Sequence, residues 1–191
     1  MTQKLEFFYD YVSLYSYLAN SQLSLIDAEV VYRPMLLGGV MNAVGNKPPA
    51  TLPARGTYLF KDAERWVKRY GIDYKINPTF PQNTVSAMRL ALVAQEKGVF
   101  EAVHQPLFDA MWAHEKNLSD VGVIADIISG AGLLVDETMA EINSVRIKGR
   151  LRENTDEAVA RGAFGAPTMF VGGEMFFGND RLDFVKEALN P

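Results

Sequence analysis

Near the start of the chain, Ser13 is the residue most able to take part in chemistry. It lies where a strand pattern changes to a helix pattern. Residues 5–10 alternate with the two-residue period of a strand, and from Tyr15 the apolar residues follow a 3.6-residue period. Serine is a preferred N-cap, because its hydroxyl accepts a hydrogen bond from an otherwise unpaired N–H group of the first helical turn. The start of a helix also stabilises anions, including thiolates, through its N–H groups and dipole. From these residues alone, Ser13 either only caps the helix or also stabilises an anion there.

The composition of the chain limits the classes of function. Its 191 residues suit one large domain, or a domain with a sizeable insertion, and 48% are hydrophobic, which is ample for a core. The formal charge of −4 argues against nucleic-acid or anionic-membrane partners, and no apolar run approaches the roughly 18 residues of a membrane helix. Residues 1–4 lead directly into a strand without the apolar region of a signal peptide. We therefore expect a soluble, cytoplasmic protein.

The sequence contains no cysteine. This excludes disulfides, cysteine nucleophiles, thiolate-ligated metals and dithiol redox chemistry within the chain. His104 and His114 lie ten residues apart in a helical stretch, without the spacing of metal ligands and without an evident partner. We expect both histidines to be structural and predict no metal site.

The first part of the chain predicts a β-α-β unit followed by a long loop. Residues 29–33 form a second strand that ends at Pro34, and the length of the crossover favours a parallel pair with the first strand. Residues 35–52 lose all periodicity and are rich in glycine and proline, so we predict a loop. A loop of this length in a compact domain is usually functional.

The rest of the chain predicts a block of helices and then a return to strands. Residues 56–162 have mostly helical periodicity, in which we expect Pro106 to kink or break one helix and Gly149 to divide the last. Residues 167–177 resemble a hairpin on a glycine turn, and residues 181–189 a closing helix.

This order of elements is typical of an α/β, thioredoxin-like fold with an all-helical insertion. We predict that residues 1–54 and 159–191 form the thioredoxin-like domain and that residues 55–158 form the inserted helical domain. The final hairpin would give the sheet an antiparallel edge.

Four motifs, in order along residues 7–189, resemble those of the 2-hydroxychromene-2-carboxylate isomerases and the closely related kappa-class glutathione transferases. Both groups belong to the DsbA-like thioredoxin superfamily. The motifs are residues 13–17, 45–49, 77–81, and the ending formed by residues 162–168 with 177–181. One position departs from the family: relatives usually carry a proline after the catalytic serine, and this chain has Leu14. Leucine adds an N–H group and loosens the turn, so we expect the thiolate site to be altered without necessarily being abolished.

The resemblance implies that glutathione supplies the reactive sulfur. The Ser13 hydroxyl would donate a hydrogen bond to the glutathione thiolate. The main chain of Ala166, before a cis Pro167, would pair with the cysteinyl part of glutathione. The alternative for Pro167 is a trans proline that opens a strand.

Three further residues are implied to hold glutathione. Asn46 would contact it from the loop, and Asn179 and Asp180 would hold the γ-glutamyl end, with Asp180 meeting the ammonium group. The plainer alternative is that Asn179 or Asp180 caps the last helix, a role compatible with binding.

Three basic residues are candidates for binding a substrate carboxylate. They are Lys47, Arg55 and Arg89. Lys47 is equally well explained as a solvated lysine on a mobile loop, and Arg89 as an exposed residue on its helix.

The function implied by the resemblance is a glutathione-dependent cis–trans isomerase acting on 2-hydroxychromene-2-carboxylate or a related aromatic keto acid. A kappa-like glutathione transferase that conjugates electrophiles is the alternative, because the two activities share a site. A third hypothesis is a thioredoxin-like binding module that has lost catalysis, for which Leu14 is the supporting feature. Relatives suggest a homodimer.

Overall fold

The computed structural model describes residues 3–190. Residues 1–2 and 191, which the predicted thioredoxin-like domain includes, lie outside this range. The strands are β1 (Lys4–Tyr9), β2 (Glu29–Pro34), β3 (Thr168–Val171) and β4 (Glu174–Phe177). The helices are α1 (Leu14–Leu23), α2 (Leu37–Ala43), α3 (Pro53–Tyr70), α4 (Val85–Glu96), α5 (Phe100–Trp112), α6 (Val121–Gly130), α7 (Val135–Ile142), α8 (Val145–Ala160) and α9 (Leu182–Leu189). No helix within the described range combines the length and apolar character that crossing a membrane requires.

The four strands form one mixed sheet in the order β2-β1-β3-β4. β1 pairs in parallel with β2, so that Leu5 lies opposite Val30, as the β-α-β pattern predicts. β3 is antiparallel to β1 and forms the predicted hairpin with β4. Helices α3 to α8 lie between β2 and β3 in the chain. The predicted thioredoxin-like α/β fold with a helical insertion is therefore confirmed.

The central strand β1 is buried on both faces of the sheet. Phe7 and Tyr9 belong to the larger core, which includes residues of the helical insertion such as Phe108. Phe8 points to the opposite face and packs edge-on against Phe170, with ring centroids 5.6 Å apart. Because β1 is covered on both sides, packing fixes the position of its carboxyl end, from which the next segment of the chain starts.

The prediction of a loop over residues 35–52 is wrong in part, because Leu37–Ala43 forms α2. Two glycines near the start of this segment lower its intrinsic helix propensity. Tertiary contacts overcome that cost, since Val40 and Met41 are buried. At Gly39 a Cβ atom would lie 3.1 Å from the Thr155 side chain, so glycine lets α2 approach α8 closely.

The helical insertion differs from the prediction at two further positions. α5 continues through Pro106, so the predicted break there is wrong and the kink stays a prediction; the buried face of α5, which includes Val103 and Leu107, holds the helix together. The last helical stretch divides before Ser144 instead of at Gly149, because the Ser144 hydroxyl caps α8 by accepting a hydrogen bond from the Ile147 N–H at 3.3 Å.

Candidate active site

A cleft of about 740 Å³ lies beyond the carboxyl end of β1. It is lined by the start of α1, the start of α2 and the following loop, α3, and the segments before β3 and after β4. Seven of the predicted site residues line it: Ser13, Asn46, Lys47, Arg55, Ala166, Asn179 and Asp180. The fold thus gathers residues that are far apart in sequence at one place.

Ser13 is the N-cap of α1, and its residue surface is only 6% exposed. Its hydroxyl oxygen accepts a hydrogen bond from the Ser16 N–H at 3.1 Å, which confirms the predicted capping role. The same hydroxyl donates to the Ala166 carbonyl oxygen at 2.9 Å. To donate to an anion in the cleft, the hydroxyl would have to exchange this carbonyl for the anion. The oxygen could continue to cap the helix while its proton changes partner.

Ala166 and Pro167 lie just before β3, where Ala166 contacts the N-cap of α1 through the hydrogen bond from Ser13. The peptide bond between them is cis, as expected, and the trans alternative is wrong. The Pro167 carbonyl oxygen accepts a hydrogen bond from the Gly178 N–H at 3.1 Å. This bond ties the segment before β3 to the segment after β4.

The segment after β4 presents Asn179 and Asp180 to the cleft in a short 3₁₀ turn. Gly178 before it has φ of 100°, and a Cβ atom there would lie 2.6 Å from the Asp180 carboxylate, so only glycine fits. Asn179 is buried and lies 3.4 Å from the Tyr70 hydroxyl, whereas Asp180 is exposed and pairs with Arg181. Arg181 occupies the N-cap position of α9, so the plainer prediction that Asn179 or Asp180 caps this helix is wrong.

The loop after α2 forms an exposed edge of the cleft. The Asn46 amide donates to the Phe164 carbonyl oxygen at 2.9 Å, and its side-chain oxygen accepts from the Lys47 N–H at 2.8 Å. Asn46 therefore fixes the loop to the segment that leads to Ala166. Lys47 and Arg55 are exposed at the same edge.

Arg89 does not line this cleft. It lies on α4, half-buried, and lines a second cavity bounded by α8. The helix that carries Arg89 was predicted correctly, but the direction of the Arg89 side chain depends on how α4 packs against α8. The structure therefore separates Arg89 from the other two candidates for binding a substrate carboxylate.

Asp10 is a site residue that the sequence reasoning missed. Its buried carboxylate accepts three hydrogen bonds: from the Val12 N–H at 3.1 Å, the Leu37 N–H at 2.9 Å and the Thr84 hydroxyl at 2.6 Å. Burial raises the pKa of the Asp10 carboxyl above its ordinary value, although these donors act in the opposite direction. One carboxylate thus joins the end of β1 to the starts of α2 and α4. An aspartate at the end of an apolar strand is the signal that indicates such a role.

A second missed residue is Asp62 on α3, which lines the cleft together with Tyr15 and Trp66. Its carboxylate accepts from the Tyr15 hydroxyl at 3.1 Å and from the Trp66 indole N–H at 3.2 Å. Burial, and then the negative charge of Asp62, raise the pKa of Tyr15; Asp180 adds to the same effect. Two carboxylates, Asp62 and Asp180, therefore line the cleft and act on Tyr15.

The remaining lining of the cleft is largely apolar. It includes Val12, Leu37, Met41, Leu59 and Phe80. A cleft with a few polar groups and an apolar lining, at a volume within roughly 300–1,000 Å³, is typical of small-molecule sites. It has room for a hydrocarbon or aromatic group beside the polar residues.

His104 lies in the aromatic core and is not among the residues that line the cleft. One ring nitrogen lies 3.0 Å from the Tyr11 hydroxyl and the other lies 2.8 Å from the Asn20 side-chain oxygen, so His104 has partners that the sequence did not reveal. Burial lowers the pKa of His104 to about 3. The ring is therefore neutral near pH 7 and serves the packing of the core.

Comparison with known proteins shows that this chain is similar to two kinds of enzyme. Residues 4–190 match the DSBA-like thioredoxin domain family. The chain is 30% identical to glutathione S-transferase kappa 1 of Rattus norvegicus, over 97% of this chain and 90% of that protein. It is 31% identical to 2-hydroxychromene-2-carboxylate isomerase of Pseudomonas putida, over 96% of this chain and 93% of that protein.

Solved structures agree with the sequence comparison. A structure of 2-hydroxychromene-2-carboxylate isomerase superposes with a TM-score of 0.85 at 28% identity, covering 97% of this chain and 94% of that one. A probable DsbA oxidoreductase from Streptomyces coelicolor superposes with a TM-score of 0.76 at 19% identity, which shows the fold alone. The chain belongs to the DSBA-like thioredoxin family, and within it to the group that contains the kappa-class glutathione transferases and the 2-hydroxychromene-2-carboxylate isomerases.

Proposed function

We propose that the protein is a glutathione-dependent cis–trans isomerase that acts on 2-hydroxychromene-2-carboxylate or a related aromatic keto acid. The observation that carries this proposal is the Ser13 hydroxyl, which lies at the N-terminus of α1 in a cleft of a chain without cysteine. The identity of about 30% to enzymes of this name supports it.

The charge and the hydrogen-bonding capacity of the cleft residues support glutathione as the ligand. The start of α1 and the Ser13 hydroxyl offer hydrogen-bond donors to a thiolate, and the dipole of α1 favours a negative charge there. A free thiol has a pKa of about 8.5, and a helix N-terminus lowers it. The Ala166 carbonyl oxygen now accepts from the Ser13 hydroxyl at 2.9 Å. When that hydroxyl turns to the thiolate, the main chain of Ala166 would pair with the peptide of the cysteinyl unit.

The γ-glutamyl end would meet the acidic side of the cleft. Asp62 and Asp180 supply two carboxylates for its ammonium group, and the side chain of Asn179 adds an uncharged polar group. A charged ligand group at a partly buried site needs a partner of opposite charge. Asp62 is held by Tyr15 and Trp66, so its orientation is set before any ligand binds.

The acid substrate would occupy the apolar part of the cleft, with its carboxylate toward Lys47 and Arg55. Bound glutathione supplies a nucleophilic sulfur, whose reversible addition turns the conjugated double bond into a rotatable single bond. The contribution of the chain is to stabilise the negative charge at Ser13 and to orient the substrate carboxylate. Since the thiol is released at the end, glutathione would act as a catalyst and would not be consumed.

The direct test is to incubate the purified protein with 2-hydroxychromene-2-carboxylate and saturating glutathione. We expect isomerisation that depends on glutathione, with no change in the mass of the substrate and no loss of free thiol. S-methylglutathione, which binds similarly but cannot form a thiolate, is the matched control and should give no turnover. If the substrate stays unchanged with saturating glutathione, the proposal fails.

A kappa-like transferase is the second candidate, favoured by the 30% identity to glutathione S-transferase kappa 1. The same site would then form a stable conjugate with an electrophile. Mass spectrometry of the product separates the two activities, because conjugation adds the mass of glutathione and isomerisation adds nothing.

The third candidate, a binding module without catalysis, rests on Leu14. In the structure Leu14 is the first residue of α1, is buried and lines the cleft, and the Ser13 cap forms despite the missing proline. Calorimetry distinguishes this candidate: a protein that does not bind glutathione would support it.

A further inference from the structure

A second cavity of about 540 Å³ lies between α2, α4 and α8. Its charged lining consists of Arg89, Lys148 and Arg152, with Asp156 as the acidic residue. Three cations therefore face one carboxylate among the described lining residues. The cavity shares Leu36 and Gly39 with the cleft, and α2 separates the two spaces.

Lys148 and Arg152 differ in their ion pairing from the other basic residues of α8. Arg146 and Arg150 both form ion pairs with Glu96 on α4. Lys148 and Arg152 lie four residues apart on another face of the helix, and α8 forms no ion pair through either of them within residues 3–190. Like charges at this spacing repel one another. Asp156, one turn after Arg152, is the one acidic residue of the described lining, so the cavity keeps a net positive charge, with Lys148 and Arg152 at its exposed side.

Arg89 adds a buried donor that lacks an acceptor. Its Nε atom is shielded from solvent and has no hydrogen-bond partner within residues 3–190. Burial lowers the pKa of Arg89. A buried guanidinium N–H without an acceptor is costly, and a bound anion is one group that would supply the acceptor.

The rest of the lining is mostly apolar, and includes Ala43, Leu151 and Val159. Inorganic phosphate alone would leave these side chains without contact. An anion with a hydrocarbon part would use both kinds of surface.

We propose that this cavity is a second small-molecule site, for an organic anion in which a carboxylate or a phosphate group is joined to a short hydrocarbon part. Arg89, Lys148 and Arg152 would hold the anionic group, since arginine donates two parallel hydrogen bonds to either group and lysine adds charge. The hydrocarbon part would lie against the apolar residues. The site stands apart from the cleft and does not depend on glutathione.

The test is calorimetric titration of the full chain with hexyl phosphate, without glutathione, at constant ionic strength. We expect the wild-type protein to bind. The double variant Lys148→Gln/Arg152→Gln should weaken the affinity about tenfold or more, because it removes two charge-assisted contacts. The control Arg146→Gln/Arg150→Gln removes the same charge from the same helix and should leave the affinity nearly unchanged.

Further probes identify the anionic group. Hexanoate replaces the phosphate by a carboxylate, and the tighter of the two ligands assigns the group that the site prefers. Hexanol keeps the hydrocarbon part without charge and should bind far more weakly. The proposal is overturned if wild-type protein binds neither anion, if hexanol binds as well as they do, or if both double variants lose affinity equally. Because no glutathione is present, each result is independent of the proposed isomerase activity.

Discussion

The inner wall of the cleft, formed by Asp10, Ser13, Ala166 and Asn179, is almost closed to solvent, whereas its rim, formed by Asn46, Lys47, Arg55 and Asp180, is exposed. The four inner residues are between 2% and 7% exposed. Their polar groups are bonded to other parts of the chain, as in the bond from Ser13 to Ala166 and the three bonds to Asp10. The geometry of the inner wall is therefore set before a ligand arrives.

The rim is organised differently. Asn46 fixes its loop through one hydrogen bond to the main chain, but Lys47 and Arg55 extend toward solvent. Exposed charges interact weakly because water and salt screen them. We therefore propose that the chemistry depends on the inner wall, whereas the rim adjusts affinity for the substrate.

Removing the inner hydroxyl should have the largest effect. Ser13→Ala is expected to lower glutathione-dependent turnover about 10²–10³-fold, the usual result of deleting one donor to a developing or stabilised anion. It should also cost about 1 kcal/mol of stability through the lost helix cap. Steady-state kinetics and urea unfolding measure the two effects.

Ser16→Ala is the matched control for that variant. The Ser16 hydroxyl is buried one turn away on α1 and has no hydrogen-bond partner within the described residues. Its removal should leave turnover close to the wild-type value. Equal losses in both variants would show that Ser13 acts only through the packing of α1.

Removing the carboxylate that braces the inner wall should mainly lower stability. Asp10→Ala leaves three donors without an acceptor, so we expect the free energy of unfolding to fall by about 3 kcal/mol. Thr84→Val removes only one of these bonds and should cost about 1 kcal/mol. Urea unfolding followed by circular dichroism compares the two. A loss in Asp10→Ala no larger than that in Thr84→Val would contradict the bracing role.

The same contrast between buried and exposed groups applies to the two histidines and gives a pH test. Burial lowers the pKa of His104 from 6.5 to about 3 in the folded protein, so the folded state favours the neutral ring. This contribution to stability is complete above pH 6.5 and is lost as the pH falls toward 3, at roughly 1.4 kcal/mol per pH unit.

Variants at the two histidines isolate this contribution. Wild-type protein and the His114→Gln control, whose histidine is exposed, should both lose stability between pH 6.5 and 4.5. His104→Gln should lose about 2–3 kcal/mol less over that interval, measured by urea unfolding at each pH. An identical pH dependence in all three proteins would contradict the assignment of a buried, neutral ring.

Changes at the rim should have the smallest effect. Lys47→Gln and Arg55→Gln are each expected to raise the KM of the acid substrate up to about tenfold with little change in kcat, because they remove binding common to the ground and transition states. Lys68→Gln, an exposed lysine on α3 outside the cleft, should change neither constant. A fall in kcat comparable to that of Ser13→Ala would show that the rim takes part in the chemistry.

The sequence was sufficient where structure is decided locally. The change of period at Ser13, the capping hydroxyl and the final hairpin all depend on residues a few positions apart, and the structure agrees with each. The helix α2 was missed because Gly38 and Gly39 oppose it locally, while a bond from the Leu37 N–H to Asp10 supports it from 27 residues away.

The same reason explains why the sequence did not reveal Asp10 and Asp62 as site residues. Asp10 contacts Thr84 across 74 residues and Asp62 contacts Tyr15 across 47 residues, so neither pairing leaves a local pattern. Arg89 was placed on the correct helix, but the direction of its side chain follows from the packing of α4 against α8. Periodicity identifies elements, whereas the assembly of a cleft depends on contacts between them.

The pKa of bound glutathione's thiol shows most directly whether Ser13 and the start of α1 stabilise its thiolate. Ultraviolet absorbance of the thiolate, followed against pH with saturating protein, measures it. For the wild-type protein and Ser16→Ala we expect a pKa well below the value of about 8.5 for a free thiol, and for Ser13→Ala a return toward that value. An unshifted pKa in the wild-type protein, or an equal shift in Ser13→Ala, would contradict the claim.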